Sequence, residues 1–300
     1  MPWLNHPSYV PVRDDLLDRL RSSTHIFKHL PYVILLCGAR LSRRRDDIAR
    51  YLTRFPQSLV FYAEDVWSEI AKRGEQNALA LEGYLAGLSD IVVIIVESAG
   101  TFTELGAFAL HDALRPKLLP ILDRNYSSAD SFINTGPIRW VDADSQFKPS
   151  INADFRTILT SGDELMDRLG RLSPPSASVI RSIEIGRSPK HLLFFVAWLV
   201  HIIGPARREH IHYFAKELFP DQSETGIDSL LSLAVLFRLI TLTVVPDLGA
   251  LYSPSDDAPT ASLPTPTGSF SFAVHRARVM SVLLRLDSAK LALAKCRGSK

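Results

Sequence analysis

The stretch that decides the fold is Asp90-Ile91-Val92-Val93-Ile94-Ile95-Val96-Glu97-Ser98-Ala99-Gly100-Thr101-Phe102-Thr103-Glu104-Leu105-Gly106. Its apolar part is β-branched at every position, the pattern of a parallel strand covered on both faces. A small-residue turn follows, and from Thr103 the apolar residues return at helical spacing, to about residue 114. Working outward, residues 32–36, 59–62 and 117–122 read as further strands, and 138–141 as a fifth. Residues 41–55, 64–71 and 78–88 read as helices. Strands alternating with helices define an α/β chain with a doubly wound, Rossmann-like parallel sheet. Such sheets bind ligands outside the carboxyl ends of their strands. That rule selects three loops, 37–40, 63–65 and 97–103.

The chain has 300 residues, about twice a common domain, which points to two domains. Hydrophobic residues make up 46% and charged residues 22%, an ordinary globular balance that excludes general disorder. The net charge of +2 implies no nucleic-acid partner by itself and leaves room for a local basic patch. Two cysteines, Cys37 and Cys296, exclude a disulfide scaffold and a Cys-rich zinc module, and free thiols fit a cytoplasmic location. The first twenty residues lack the pattern of a signal peptide. The most apolar stretch, residues 191–203, is too short to span a bilayer, so no membrane partner is expected.

The Ser-Pro-rich stretch at 173–178 divides the chain into a domain at 1–172, a linker at 173–188 and a second domain at 189–300. In the second domain, residues 189–203 and 207–218 read as helices. A third, capped by Asp221 or Ser223, runs to about Phe237. Strands at 240–245 and 248–252 form a hairpin across Pro246-Asp247-Leu248-Gly249. Three helices and a hairpin is the order of a winged helix-turn-helix. Residues 258–268, rich in Pro, Thr and Ser, read as a flexible insertion. From Phe270 one last helix carries Arg276, Arg278 and Arg285, the candidate phosphate-binding residues for nucleic acid. An ordinary exposed amphipathic helix fits the same residues.

Chemistry concentrates after the strongest strand. Gly100 lets backbone approach a ligand, and Thr101 or Thr103 can cap the new helix. Glu104 is expected in the first helical turn, where the helix dipole favours its ionised form. There it would attack a sugar carbon or stabilise an oxocarbenium ion. Glu97 would supply a second carboxylate to bind hydroxyls or move a proton. An ordinary helix-start acid and a solvated neighbour fit the same spacing. Cys37 has no histidine close in sequence and reads as a small pocket residue. His210 and His212 do not share a helix face, so no metal pair is expected. Arg43-Arg44-Arg45 reads as a solvated face or as a phosphate contact. Walker, HExxH and GxSxG motifs are absent from the sequence.

Five ordered segments carry a resemblance: LLCGA (35–39), FYAEDVW (61–67), LALEGYLA (79–86), ESAGTFTELGAF (97–108) and SFINTGPIR (131–139). Together they resemble the nucleoside deoxyribosyltransferase-like effector proteins of bacterial retrons over roughly the first half of the chain. The Gly-Thr-x-x-Glu core alone is shared with phosphoribohydrolases. The resemblance implies an N-glycosidase with Glu104 as its catalytic carboxylate. It implies a nucleotide pocket lined by Cys37, Gly38, Glu64 and Asp65, with Glu82 on a helix facing the same mouth. It further implies a contribution from Asn134, across a subunit interface if the protein forms a homo-oligomer or filament. A turn role for Asn134 and a solvated Glu82 fit as well. Relatives that transfer bases commonly carry Asp where this chain has Glu97, which favours hydrolysis here. NAD is the implied substrate and no cofactor is implied. The implied partners are a reverse transcriptase and its multicopy single-stranded DNA (msDNA), which hold a toxin in check. Two alternatives remain. One is a deoxyribosyltransferase or nucleotide glycosidase without a toxin role. The other is a silent nucleotide sensor joined to a DNA-binding domain.

Overall fold

The apolar run Ile91–Ile95 is the middle strand of a five-stranded parallel sheet, and every one of its residues is buried. The computed structural model describes residues 3–71, 77–246, 248–268 and 270–297. Turn residue Asp247 and the end of the basic tail, 298–300, lie outside the described residues.

Helix α1 (Val10–Ser22) and strand β1 (Thr24–Phe27) come first in the chain. Residues 31–175 then form a compact unit of their own. Its strands are β2 (Tyr32–Cys37), β3 (Ser58–Phe61), β4 (Ile91–Ile95), β5 (Leu118–Asp123) and β6 (Ile151–Ala153), in the spatial order β3-β2-β4-β5-β6. All four pairings are parallel, with Ile34 opposite Ile91 and Cys37 opposite Ile94 at the centre. Its helices are α2 (Arg43–Leu52), α3 (Ala63–Ala71), α4 (Ala78–Leu88), α5 (Ala99–Leu110), α6 (Arg139–Asp144) and α7 (Gly162–Leu169).

The two-residue period of a strand divides the apolar residues between two faces. Ile34, Leu36, Ile91, Val93, Ile95, Leu119 and Ile121 pack with Ile48 and Leu52 of α2, Phe147, and Leu165 and Leu169 of α7. Alternate residues Val33, Leu35, Cys37, Val92 and Ile94 therefore face the opposite side, where α4 packs on β2 and α5 on β4. The chain leaves β2 for β3 on one side, then returns past β2 to β4 on the other. The topological switch point is therefore the crevice beyond the ends of β2 and β4.

Residues 1–30 and 176–300 form the second unit. It contains β7 (Ser178–Arg181), α8 (Ser182–Ile185), α9 (Pro189–Ile203), β8 (Ala206–Arg207), α10 (Arg208–Leu218), α11 (Glu224–Leu236), β9 (Ile240–Val245), β10 (Gly249–Pro254), β11 (Thr265–Pro266), α12 (Phe272–Leu283) and α13 (Asp287–Arg297). Strands β8, β10 and β9 form one antiparallel sheet, and β11, β1 and β7 another. Helix α9 is buried along most of its length, and Ser188 caps its start. Ser223 caps α11, one of the two expected candidates.

Several expectations are corrected. The expected strand at 138–141 is helical: residues 134–138 make a π-helical turn that runs into α6, and the fifth strand is β6. The expected linker contains strand β7 and helix α8, because residues 178–181 pair with β1. The first unit starts at residue 31 rather than 1, since the N-terminal segment supplies a helix and a strand to the second unit. The Pro/Thr/Ser-rich insertion is ordered in part, with β11 pairing at His25 and Ile26. The single final helix is two, α12 and α13.

Phe147 is fully buried in the core of the sheet unit. Phe147→Ala should destabilise this unit by about 3–5 kcal/mol. Denaturant unfolding followed by hydrogen exchange in β4 and β5 reads the shift.

Candidate active site

The loop after β4 ends in a capped helix start. Ser98 is the N-cap of α5, and its Oγ accepts from Thr101 N at 3.3 Å. In return Thr101 Oγ1 accepts from Glu97 N at 3.0 Å and Ser98 N at 2.9 Å. Thr101 is buried and its hydroxyl organises the turn, while Gly100 is exposed beside it. The helix therefore begins four residues before Thr103, and Glu104 lies in its second turn. The first-turn position expected for this carboxylate is corrected. Burial pushes the Glu104 carboxyl above its usual value, the charge of Glu64 pushes the same way, and the Cys37 thiol and Arg45 oppose the shift.

Glu104 lies on the same side of the sheet as Cys37, the last residue of β2. The Cys37 thiol and the Glu104 carboxyl lie close enough for each to shift the other, and Glu104 Oε2 is buried with no partner. Burial and then the charge of Glu104 push the Cys37 thiol well up, so it is a neutral donor rather than a nucleophile. Glu64 enters from the first turn of α3, after β3. Glu82 enters from α4, and its carboxyl is pushed up to about 7 by burial, then by the charges of Glu104 and Glu64. Three helices, α3, α4 and α5, thus gather three carboxylates, Glu64, Glu82 and Glu104, around the one thiol at the end of β2.

One buried cation serves this cluster. The Arg45 side chain is 8% exposed and pairs with Glu64. Its guanidinium lies 4.2 Å over the Tyr62 ring, and its Nη1 approaches Gly38 O at 3.4 Å. A Cβ at Gly38 would meet the Arg45 side chain at 2.9 to 3.1 Å, so glycine is what permits this packing. Arg45 and Tyr62 were not singled out from the sequence. The one signal was the basic triplet, whose members diverge into different surroundings.

The remaining expected residues serve other ends. Glu97 is not a free second carboxylate: its side chain is 3% exposed, Oε2 pairs with Arg44 at 2.8 Å and Oε1 accepts from Ala39 N at 3.1 Å. Asp65 Oδ2 accepts from Tyr62 N at 3.2 Å, bracing the start of α3. Asn134 Nδ2 donates to Tyr126 O and Ala129 O at 2.9 and 2.8 Å, so its amide organises its own loop. Arg276 donates to the carbonyls of Ile202 and Gly204, which gives it a structural role. Arg278 pairs with Asp15 at 2.6 Å. Arg285 is exposed and makes no ion pair among the described residues. No cluster of metal-ligating side chains occurs among the described residues. No helix of theirs is long and apolar enough to cross a membrane.

A crevice at the switch point of a parallel sheet is where open α/β folds bind their ligands. The chain belongs to the STM3845 retron effector protein family, whose model matches residues 42–242. It is 37% identical over 115 residues to "Retron Ec86 putative ribosyltransferase/DNA-binding protein" of Escherichia coli, a match covering 37% of this chain and 38% of that relative. It is 27% identical over 235 residues to "Retron Ec73 putative ribosyltransferase/DNA-binding protein" of the same organism, covering 70% of this chain and 74% of the relative.

The raised Glu82 carboxyl has a consequence for stability. Its folded value of about 7 lies above the ordinary 4.5, so between those values the folded state binds more protons than the unfolded state. The stabilising contribution is full below pH 4.5 and is lost as pH rises through about 7. Glu82→Gln should therefore gain melting temperature relative to wild type as pH rises over that interval, with the gap levelling above it. Paired melting curves across the interval check this.

Proposed function

We propose that the protein is a retron effector enzyme that hydrolyses the N-glycosidic bond of a nucleotide, with NAD as the favoured substrate. The observation that carries this reading is the Glu82–Glu104 pair at the mouth of the sheet. Burial pushes both carboxyls up, Glu82 to about 7, and the Cys37 thiol and Arg45 oppose the shift at Glu104. A carboxyl that titrates near neutrality is suited to carry a proton in general acid–base catalysis. The relatives' names, which include ribosyltransferase, support the same class of chemistry.

In the proposed reaction the C1′–N bond breaks and the departing base keeps its electron pair. Glu104 stabilises the oxocarbenium ion or forms a bond to C1′ through a carboxylate oxygen. Water then delivers hydroxide to C1′, and its proton passes to a carboxylate. Nicotinamide leaves as a neutral molecule and needs no proton, so ionised Glu82 acts as the base toward water. With a purine or pyrimidine, protonated Glu82 would instead assist departure.

The second unit we read as a winged-helix binding module. The support is the element order α9, β8, α10, α11, β9, β10 and the three-stranded sheet β8-β10-β9. Buried Asp228 of α11 accepts a bidentate pair from Arg208 of α10 and a hydrogen bond from His212, which locks the two helices together. The proposed partners are the retron's reverse transcriptase and its msDNA, with Arg285 the best placed of the three arginines for a phosphate.

Purified protein should release nicotinamide from NAD, with its complex with msDNA and reverse transcriptase measured alongside. Glu104→Gln should lower the rate by more than about 10³-fold, and Glu82→Gln by about 10²–10⁴-fold. Chromatography of the free base over a panel of NAD, deoxynucleosides and deoxynucleotides gives the result. Release that persists in Glu104→Gln would remove Glu104 from the mechanism, and absence of release from every substrate would favour a non-catalytic sensor.

A further inference from the structure

The triplet Arg43-Arg44-Arg45 opens α2, and its three side chains go to three different surroundings. Arg45 is buried beneath the carboxylates. Arg44 stacks 5.0 Å over the Phe155 ring, donates Nε to Phe155 O at 2.7 Å and pairs with Glu97. Arg43 stands 93% exposed at a rim, 3.8 Å from Asp47. Arg44, Glu97 and Phe155 line two adjoining clefts at the carboxyl mouth of the sheet, of about 570 and 670 Å³. The larger one is also lined by Ser42, Arg43, Asp47, Arg156, Thr157 and Thr160.

The charge balance of the larger cleft favours an anion. Both of its carboxylates are already engaged. Glu97 holds Arg44 and Ala39 N, and Asp47 holds Arg50 at 2.5 Å besides its longer contact with Arg43. Arg156 is exposed and makes no ion pair among the described residues. The cleft therefore presents guanidinium groups and hydroxyls in excess of acceptors. Guanidinium matches phosphate oxygens in a fork geometry, and hydroxyls complete such sites. Position completes the case. Ala39 lines this cleft, and Cys37, whose thiol meets Glu104, is two residues away. Two residues of chain span at most about 7 Å, a gap that a ribose bearing a 5′-phosphate bridges.

We propose that the Arg43–Arg156 cleft binds the diphosphate of a small nucleotide whose sugar lies at Glu104, so that the substrate class is a nucleoside diphosphate derivative rather than a free nucleoside. This deepens the glycosidase reading and rests on it for the placement of the sugar. Arg43 and Arg156 are binding residues that leave the bond-breaking carboxylates untouched.

The test is calorimetric titration of the full chain with inorganic pyrophosphate. Wild type and Glu104→Gln should bind alike, and the double variant Arg43→Ala/Arg156→Ala should bind at least tenfold more weakly with an unchanged melting temperature. A nucleoside diphosphate should displace pyrophosphate, and a short single-stranded DNA should not. Failure of wild type to bind, equal binding by the double variant, or displacement by the DNA alone would overturn the proposal. Base release from NAD is measured alongside. Where wild type cleaves, the double variant should raise KM for NAD at least tenfold with kcat little changed; a loss of kcat at unchanged KM would also overturn it. Pyrophosphate binding without base release from any substrate would retain the anion cleft and sink the glycosidase reading instead.

Discussion

The buried carboxylate of Glu97 is the constraint on which the sheet mouth depends. It takes a backbone N–H from Ala39, in the loop after β2, and the guanidinium of Arg44, in the first turn of α2. The ends of the two strands at the switch point are thereby tied through one side chain. A carboxylate so enclosed is tolerable only with both oxygens satisfied, and removing either partner would leave an uncompensated buried charge. The tie separates the mouth into two sides. One holds Cys37, Glu82 and Glu104; the other holds the arginine-lined clefts.

Charge is distributed unevenly between those sides. Around Cys37, three carboxylates share one buried cation, so each added negative charge raises the affinity of its neighbours for protons. Arg45 pairs with Glu64 and, with the Cys37 thiol, moderates the rise at Glu104, while Glu82 has no such compensation and rises to about 7. For the proposed cleavage, that asymmetry is what a site needs to hold one carboxyl in reserve as a proton carrier and another as the anionic partner of a sugar cation. The arginine side supplies the opposite field, suited to the negative end of a nucleotide. A substrate lying across Glu97 would meet both.

The family is one of retron effectors, and the chain divides its work in a way that fits that description. Residues 31–175 carry the carboxylate cluster and the arginine-lined clefts. The other unit is rich in helices and small antiparallel sheets, with the Arg208–Asp228 pair joining α10 to α11.

Local pattern by itself determined the parallel sheet and the location of its mouth. An unbroken β-branched run such as 91–95 has few alternatives to a doubly covered strand, and the rule of carboxyl-end ligand loops then selected the loops that hold Cys37 and Glu64 and the one that leads into Glu104. Residues 138–141 read as a strand because apolar and β-branched residues are shared by short strands and buried helical turns, and packing alone arbitrates between them. Residues 178–181 read as linker because a short edge strand has no periodicity to detect until its partner, β1, is brought in from far along the chain. The start of α5 was placed late because Ser98, Thr101 and Thr103 can each cap a helix, and the hydrogen bonds from Glu97 N and Ser98 N to Thr101 decided among them. The roles of the acids and arginines were decided only by tertiary structure. Glu82, Glu97 and Glu104 are chemically the same residue, and three consecutive arginines carry no local distinction. Burial and the identity of the nearest opposite charge are properties of packed neighbours distant in sequence, and these made one glutamate a clamp, raised the carboxyl of another to about 7 and made one arginine a buried counter-ion.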